Sequence, residues 1–277
     1  MTDSERCLVM KSLFKLLLKL LRKPKRKEGD NKFICNVQKD PIDKRDHYYI
    51  ARIESIPISY SLKEFCPPVK NQGSIGSCSA HAYATAMEIM YKKHKPEWYQ
   101  ELSERFNYYT VRDAEYMNTL PQDSGAFLRE NAKVLNKIGI CSEKLCPYDT
   151  GKYNETPNIF AYSMARFWKV KEYHRVDAVD NMKKALTEGK PIVVGTYVYD
   201  SFIYNVDGFM RPNQTGSNRG GHAYVIIGYD DQKQSFEVMN SWGILWGNKG
   251  FCWIPYSFFN LYMFDAWAMD LLEGDLG

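Results

Sequence analysis

Cys78 stands where a thiol is most readily turned into a nucleophile. The stretch Val69-Lys70-Asn71-Gln72-Gly73-Ser74-Ile75-Gly76-Ser77-Cys78-Ser79-Ala80-His81-Ala82 runs from a glycine-punctuated polar turn into a helix-prone segment, with the cysteine at the junction. Unsatisfied amide N–H groups and the positive end of the helix macrodipole lower a thiol's pKa there, and the thiolate is the attacking form. Ser77, one residue earlier, is a candidate N-cap. A free cysteine can equally be a small buried hydrophobe, so the position needs partners. A thiolate catalyst requires a general base, and the base an orienting group. Gly220-Gly221-His222-Ala223-Tyr224-Val225-Ile226-Ile227-Gly228-Tyr229 puts His222 at the head of an apolar, β-branched run that reads as a buried strand. Ser235-Phe236-Glu237-Val238-Met239-Asn240-Ser241-Trp242-Gly243 reads as a second strand ending in Asn240 beside Trp242. Paired as a hairpin, the two strands carry Asn240 towards His222.

These motifs resemble those of the papain-like cysteine proteases, the cathepsin family. Asn71-Gln72-Gly73 with Gly76-Ser77-Cys78 is similar to the nucleophile segment, and Gly221-His222-Ala223 to the histidine segment. Asn240-Ser241-Trp242-Gly243 with Trp246-Gly247 and Gly250 is similar to the asparagine segment. The separation of Cys78 and His222 falls in the expected range of about 130–150 residues. Leu102-Ser103-Glu104 and Pro147-Tyr148 add matches, and the resemblance covers residues 55–270 in family order. It implies peptide-bond hydrolysis by a thiolate–imidazolium pair: Cys78 attacks, His222 carries the proton, Asn240 orients the imidazole and Trp242 shields that contact. The Gln72 amide, with the Cys78 backbone N–H, would bind the developing oxyanion.

The sequence also departs from the family. Where the signature reads C-G-[SA]-C-[WY], this chain has Ile75-Gly76-Ser77-Cys78-Ser79, so the first cysteine and the aromatic are missing. The family's Cys-Asn-Gly-Gly stretch becomes Gln122-Asp123-Ser124-Gly125-Ala126, and both ends of that disulfide are therefore absent together. His81 replaces a usual aromatic; a hydrogen-bonded structural histidine is the default reading there. Two other classes stay open beside the peptidase: a papain-like binding module that has lost activity, and a Cys-His acyltransferase. Residues 149–164 hold no histidine of the kind that carboxypeptidase members carry over the cleft, which points to endopeptidase action.

The elements that must position these groups read as helices first and strands later. Alanine-rich residues 78–94 form a helix stopped by Pro96, and a second helix is expected over 125–138. Strands are expected over 165–170, 191–198, 223–229, 235–240 and 250–254, with a short helix at 183–188. The aromatic tail 256–267 packs back on the core. This is an α+β, two-lobed pattern, with a helical lobe at about 70–160, a β lobe at about 161–277 and the site in the cleft between them.

The net charge of +4 is carried by the first 30 residues, leaving the rest nearly neutral, so no nucleic-acid partner is expected. In residues 8–21, Lys11, Lys15 and Lys19 fall on one helical face, continued by Arg22 and Lys23, with leucines and Phe14 opposite. Three readings stay open: a helix packed on the body, a membrane-surface anchor making weak contact through residues 8–27, or a basic address signal. Residues 28–54 read as a polar spacer, so 1–54 form a prosegment-like region before a catalytic domain at 55–277. Cleavage is expected around Arg52 to Ser55, and His47 at the surface. Of the seven cysteines, at least one stays unpaired, and Cys141 and Cys146 could bridge locally. Without a convincing signal peptide the default is intracellular synthesis with reduced thiols. No cofactor and no metal are expected. The expected partners are polypeptide substrates, and the chain is expected to be a monomer.

Overall fold

The computed structural model describes residues 33–50, 55–114 and 116–272. The alanines at 80, 82, 84 and 86, the strongest of helix formers, start the helix α1 (Cys78–His94). Every residue from Cys78 to Tyr91 is buried, so this helix lies inside the protein rather than on its surface. Lys92 and Lys93 end it with positive charge where the helix dipole is negative, and Pro96 follows. Around α1 pack α2 (Glu104–Asp113) and α3 (Leu128–Lys137). The hydroxyl of Ser103 caps α2 by accepting from the Phe106 amide at 3.0 Å.

The second half is a seven-stranded antiparallel sheet in the order β2-β7-β3-β4-β5-β6, with β1 paired to β4. The strands are β1 (Ser59–Ser61), β2 (Val170–Arg175), β3 (Ile192–Tyr199), β4 (Asn218–Asp230), β5 (Ser235–Met239), β6 (Phe251–Pro255) and β7 (Met263–Leu271). Short helices α4 (Ile159–Ala165), α5 (Val179–Thr187), α6 (Asp200–Ile203) and α7 (Tyr256–Tyr262) join or flank them. β4 is buried from Gly221 to Tyr229 and packs on α1, which brings the start of the helix against the start of the strand. The β4–β5 pairing places Met239 opposite Val225, and the chain then turns at Asn240.

Two local expectations are corrected. The segment at 165–170 is not a strand: the Asn158 side chain caps α4 at the Ala161 amide, 2.8 Å away, and a tight turn through Trp168 delays the strand to Val170. The second helix begins at Leu128 rather than 125, because Gly125 has φ +69° and Phe127 is extended. The residues expected to form the basic amphipathic helix, 8–21, and the cleavage stretch at Arg52 to Glu54 lie outside the described residues. Among the described residues no helix is long and apolar enough to cross a membrane.

A buried charge cluster holds the helical half to the loop before α1. Lys70 Nζ reaches Glu88 Oε1 on α1 at 2.9 Å and Glu104 Oε1 on α2 at 2.5 Å. Both carboxylates are buried, and Glu88 also accepts from the Leu102 amide at 2.8 Å. Removing the one cation leaves two buried carboxylates uncompensated, which typically costs about 3–5 kcal/mol. Lys70→Met should accordingly lower the unfolding free energy by about 3–5 kcal/mol in urea titration, while Glu101→Gln, at the exposed edge of the cluster, should change it by about 0–1 kcal/mol.

Candidate active site

The polar turn before α1 is held from both sides. Gln72 N–H donates to the Ser241 carbonyl at 2.9 Å, and Gly243 N–H to the Lys70 carbonyl at 2.9 Å. The Gln72 side-chain oxygen accepts from Ser241 Oγ at 2.8 Å and from Trp242 Nε1 at 3.1 Å. Its amide nitrogen therefore faces the other way. Tyr148 OH bonds the Gln72 carbonyl and Ser77 Oγ, each at 2.7 Å, and so grips the turn at two points. Ser77 does not cap α1 with its side chain, contrary to its reading as an N-cap, because its hydroxyl is taken by Tyr148 and His81.

Where the sequence lacks both ends of a disulfide, a carboxylate bridges the same two loops. The Gly76 amide donates to both oxygens of Asp123, at 2.9 and 3.1 Å, and the Tyr108 hydroxyl donates to Asp123 while accepting from the Gly125 amide. Ile75 packs with Ala80, Tyr108, Val111, Ala126 and Val134. Among the described residues all six cysteines are free, so Cys141 and Cys146 do not bridge here, although their thiols lie within hydrogen-bonding reach.

Cys78 is the first residue of α1 and fully buried. The amides of Ala223, Ser79 and Cys78 itself favour its thiolate, but burial outweighs them and pushes the thiol up to about 12. His222 sits on β4 beside Ala223, with Nε2 2.8 Å from Asn240 Oδ1. That oxygen also accepts from the Ser241 amide at 2.8 Å. An amide oxygen only accepts, so the neutral ring carries its proton on Nε2 and presents a bare lone pair at Nδ1. Nδ1 is buried without a partner. The Trp242 ring stacks on the imidazole at 4.1 Å and 23°. Burial, with a further push from His81, lowers His222 to about 3, although the Asn240 contact opposes the shift. The structure thus brings Cys78, His222, Asn240, Gln72 and Trp242 together where loop, helix and sheet meet.

His81 is not among them. Its Nδ1 is 3.0 Å from the Ser77 carbonyl and its ring meets Tyr148 edge-on, as a structural histidine would. Ser79 Oγ accepts from Asn131 Nδ2 on α3 at 3.2 Å, again within the helical half.

Residues 28–54 read from the sequence as a spacer that would cross the cleft if 1–54 is a prosegment, and residues 33–37 do lie against these groups. Phe33 stacks on Trp242 at 4.6 Å and 10°, and the Ile34 carbonyl accepts from the Gln72 side-chain amide at 3.4 Å. Asn36 forms a parallel bridge with Gly221, Val37 N–H donates to the Gly221 carbonyl at 3.0 Å, and Asn36 Nδ2 donates to the Asp123 carbonyl at 3.0 Å. Any side chain at Gly125 or Gly221 would collide with this strap: their Cβ atoms would lie 2.4 Å from the Asn36 carbonyl oxygen and 1.9 Å from that of Val37. Beyond the groove the strap is anchored by charge. Asp40 accepts from the Arg129 amide at 3.1 Å and Trp267 Nε1 at 2.9 Å, and Asp46 takes the Arg129 guanidinium at 2.6 and 2.7 Å. Arg175 joins Asp46 and Asp265 at 3.0 and 2.5 Å. The resemblance to a prosegment pointed to the cleft, but the strap's polar character does not say which of its residues meet which groups. His47, as expected, is exposed.

The family profile described as papain family cysteine protease (peptidase C1) matches residues 58–261. An uncharacterized peptidase C1-like protein of Acanthamoeba polyphaga mimivirus is 35% identical over 202 residues, covering 68% of this chain and 64% of its own length. Cathepsin K of Mus musculus is 30% identical over 207 residues, covering 70% of this chain and 57% of its own. The chain thus spans less than two thirds of these curated relatives. The crystal structure of xylellain, a cysteine protease from Xylella fastidiosa, superposes with a TM-score of 0.79 at 31% identity over 88% of this chain and 98% of that one. Extent of match, α+β fold and site together mean that the chain belongs to the papain family of cysteine peptidases.

The Asp123 bridge makes its own expectation. Asp123→Ala removes a charged acceptor from Gly76 and Tyr108 and should cost about 1–3 kcal/mol of stability by thermal melting, with Asp123→Asn losing less. Reductant should leave the melting of the wild type unchanged, since no described disulfide is there to break.

Proposed function

We propose that this protein is a cysteine endopeptidase whose chain is made latent by its own N-terminal region. The observation that carries the catalytic reading is the histidine tautomer: Asn240 fixes the proton on Nε2 and leaves Nδ1 bare, while the Cys78 thiol at the head of α1 meets the amide of Ala223, the residue after His222. In the reaction His222 Nδ1 takes the Cys78 proton, the sulfur attacks the scissile carbonyl, and the imidazolium returns the proton to the leaving amine. Gln72 Nε2 and the Cys78 N–H receive the oxyanion, a contribution of roughly 10²–10³ in rate per donor in related chemistry. Water then hydrolyses the acyl-enzyme. Trp242 keeps solvent from the His222–Asn240 contact. Polypeptides are the substrates, and the absence of a histidine in residues 149–164 favours cleavage within chains over removal of terminal residues.

Latency is supported by the strap. While the Ile34 carbonyl occupies Gln72 Nε2 and Phe33 covers Trp242, no substrate carbonyl can enter the same place. We take residues 1–54 as the inhibitory region and 55–277 as the catalytic domain, with release by cleavage near Ser55. In a chain starting at residue 55, Cys78→Ala should abolish peptide hydrolysis with the fold retained by circular dichroism, His222→Ala should come close, and Asn240→Ala should do less harm. Comparable turnover by Cys78→Ala and wild type would end this reading.

The covered state also predicts a pH dependence. A thiol raised to about 12 stays protonated below that pH, and a histidine lowered to about 3 stays neutral above it, so the covered pair is uncharged through the neutral range. Uncovering the site returns water to both groups and favours the thiolate–imidazolium pair. Alkylation of Cys78 by iodoacetamide should therefore rise only in alkali for the full chain, whereas a chain starting at residue 55 should react at neutral pH. Identical profiles for the two proteins would show that the strap does not control the site.

A further inference from the structure

The strap carries a cysteine into the groove, one residue after the carbonyl held by Gln72 and one before the residue bridged to Gly221. This is Cys35. Its carbonyl presses on Gly220, where an added Cβ would lie 2.1 Å from the oxygen and 3.6 Å from Cys35 Cβ. The Cys78 thiol lies against the same stretch of β4, facing the Ala223 amide. Residues 34 and 36 are pinned on either side, so Cys35 is confined over this stretch rather than free to swing away. Burial raises the Cys35 thiol above its ordinary value, the charge of Cys78 adds to the rise, and the Arg219 guanidinium opposes it.

We infer that Cys35 and Cys78 form a reversible disulfide that locks the strap across the site. The inference rests on Cys78 being the thiol of the site, and its test reads a covalent bond rather than turnover. The oxidant is a small-molecule disulfide such as oxidised glutathione. Cys35, partly exposed where Cys78 is fully buried, exchanges first. Its thiolate attacks one glutathione sulfur, forms a mixed disulfide and expels glutathione thiolate. The Cys78 thiolate, formed in alkali while the site is covered, then attacks the Cys35 sulfur and expels the second glutathione. Two protein thiols and one oxidised glutathione thus yield one protein disulfide and two reduced glutathiones. A reducing thiol runs the sequence backwards, so the same cysteine that is kept for chemistry reports the redox poise around it.

A non-covalent strap can be displaced by cleavage or competition, but a strap tethered through the nucleophile cannot vacate the groove and leaves no thiol to react. The full chain should be incubated with oxidised glutathione in alkali, blocked with iodoacetamide, digested with trypsin without reductant and mapped by mass. The expected product is the strap peptide 33–39 joined to the peptide 71–92, absent from Cys35→Ser and Cys35→Ala and abolished by dithiothreitol. Under the same oxidant, alkylation of Cys78 by iodoacetamide should fall roughly tenfold or more in the wild type while Cys35→Ser loses less, the gap closing on reduction. Glutathione adducts without the linked peptide, or Cys35 joined to any other cysteine, would overturn the lock. If no variant hydrolyses peptides under any condition, the peptidase reading fails, and the presence or absence of the linked peptide still decides the lock.

Discussion

One side-chain amide, that of Gln72, sets the geometry on which the site depends. Its oxygen is satisfied by Ser241 and Trp242 from the loop after β5, which fixes the direction of its nitrogen. With the Gln72 backbone on Ser241 and the Gly243 backbone on Lys70, the loop before α1 and the loop after β5 are laced together. The His222–Asn240 pair hangs from the second loop and Cys78 from the first. Shifting either loop would misplace thiol, imidazole and oxyanion donor at once. Buried polar groups make this seam specific: an unpaired amide in so dry a place costs about 1–3 kcal/mol, so the register has few alternatives.

The loop before α1 also shows how one constraint is exchanged for another. A disulfide acts mainly by restricting the unfolded chain, whereas the Asp123 carboxylate acts only in the folded state, by accepting from Gly76 and Tyr108. The replacement is redox-neutral. It suits a site whose cysteines are all free among the described residues.

Much of this was legible in the sequence for a physical reason. Cys78, His222 and Asn240 lie at junctions of strong local patterns: an alanine-rich helix, a β-branched strand and a strand-ending turn. The strand misplaced at 165–170 shows the limit of period, since an apolar segment ending in Ala165 fits a capped helix as well as a strand, and Asn158 decided it. Asp123 and Tyr148 act through contacts distant in sequence, which no spacing reveals. The spacer was expected to cross the cleft, but its path and contacts were hidden more deeply. Within the groove its backbone meets glycines at 125, 220 and 221, and backbone groups leave no signature in residue type.

The acidic anchor of the strap has one more consequence. Phe127, the residue before α3, offers no side-chain cap, and Asp40 supplies the missing acceptor to the Arg129 amide. The first turn of α3 is therefore completed by a segment from outside the helical half. Asn131, in that same turn, reaches the Phe127 carbonyl at 3.0 Å and Ser79 Oγ at 3.2 Å, next to the thiol. Lifting the strap thus removes a keystone from a short arch that ends beside Cys78. Opening the groove and loosening the footing of its nucleophile are mechanically the same event, and the helix must find water or another acceptor before the arch is closed again.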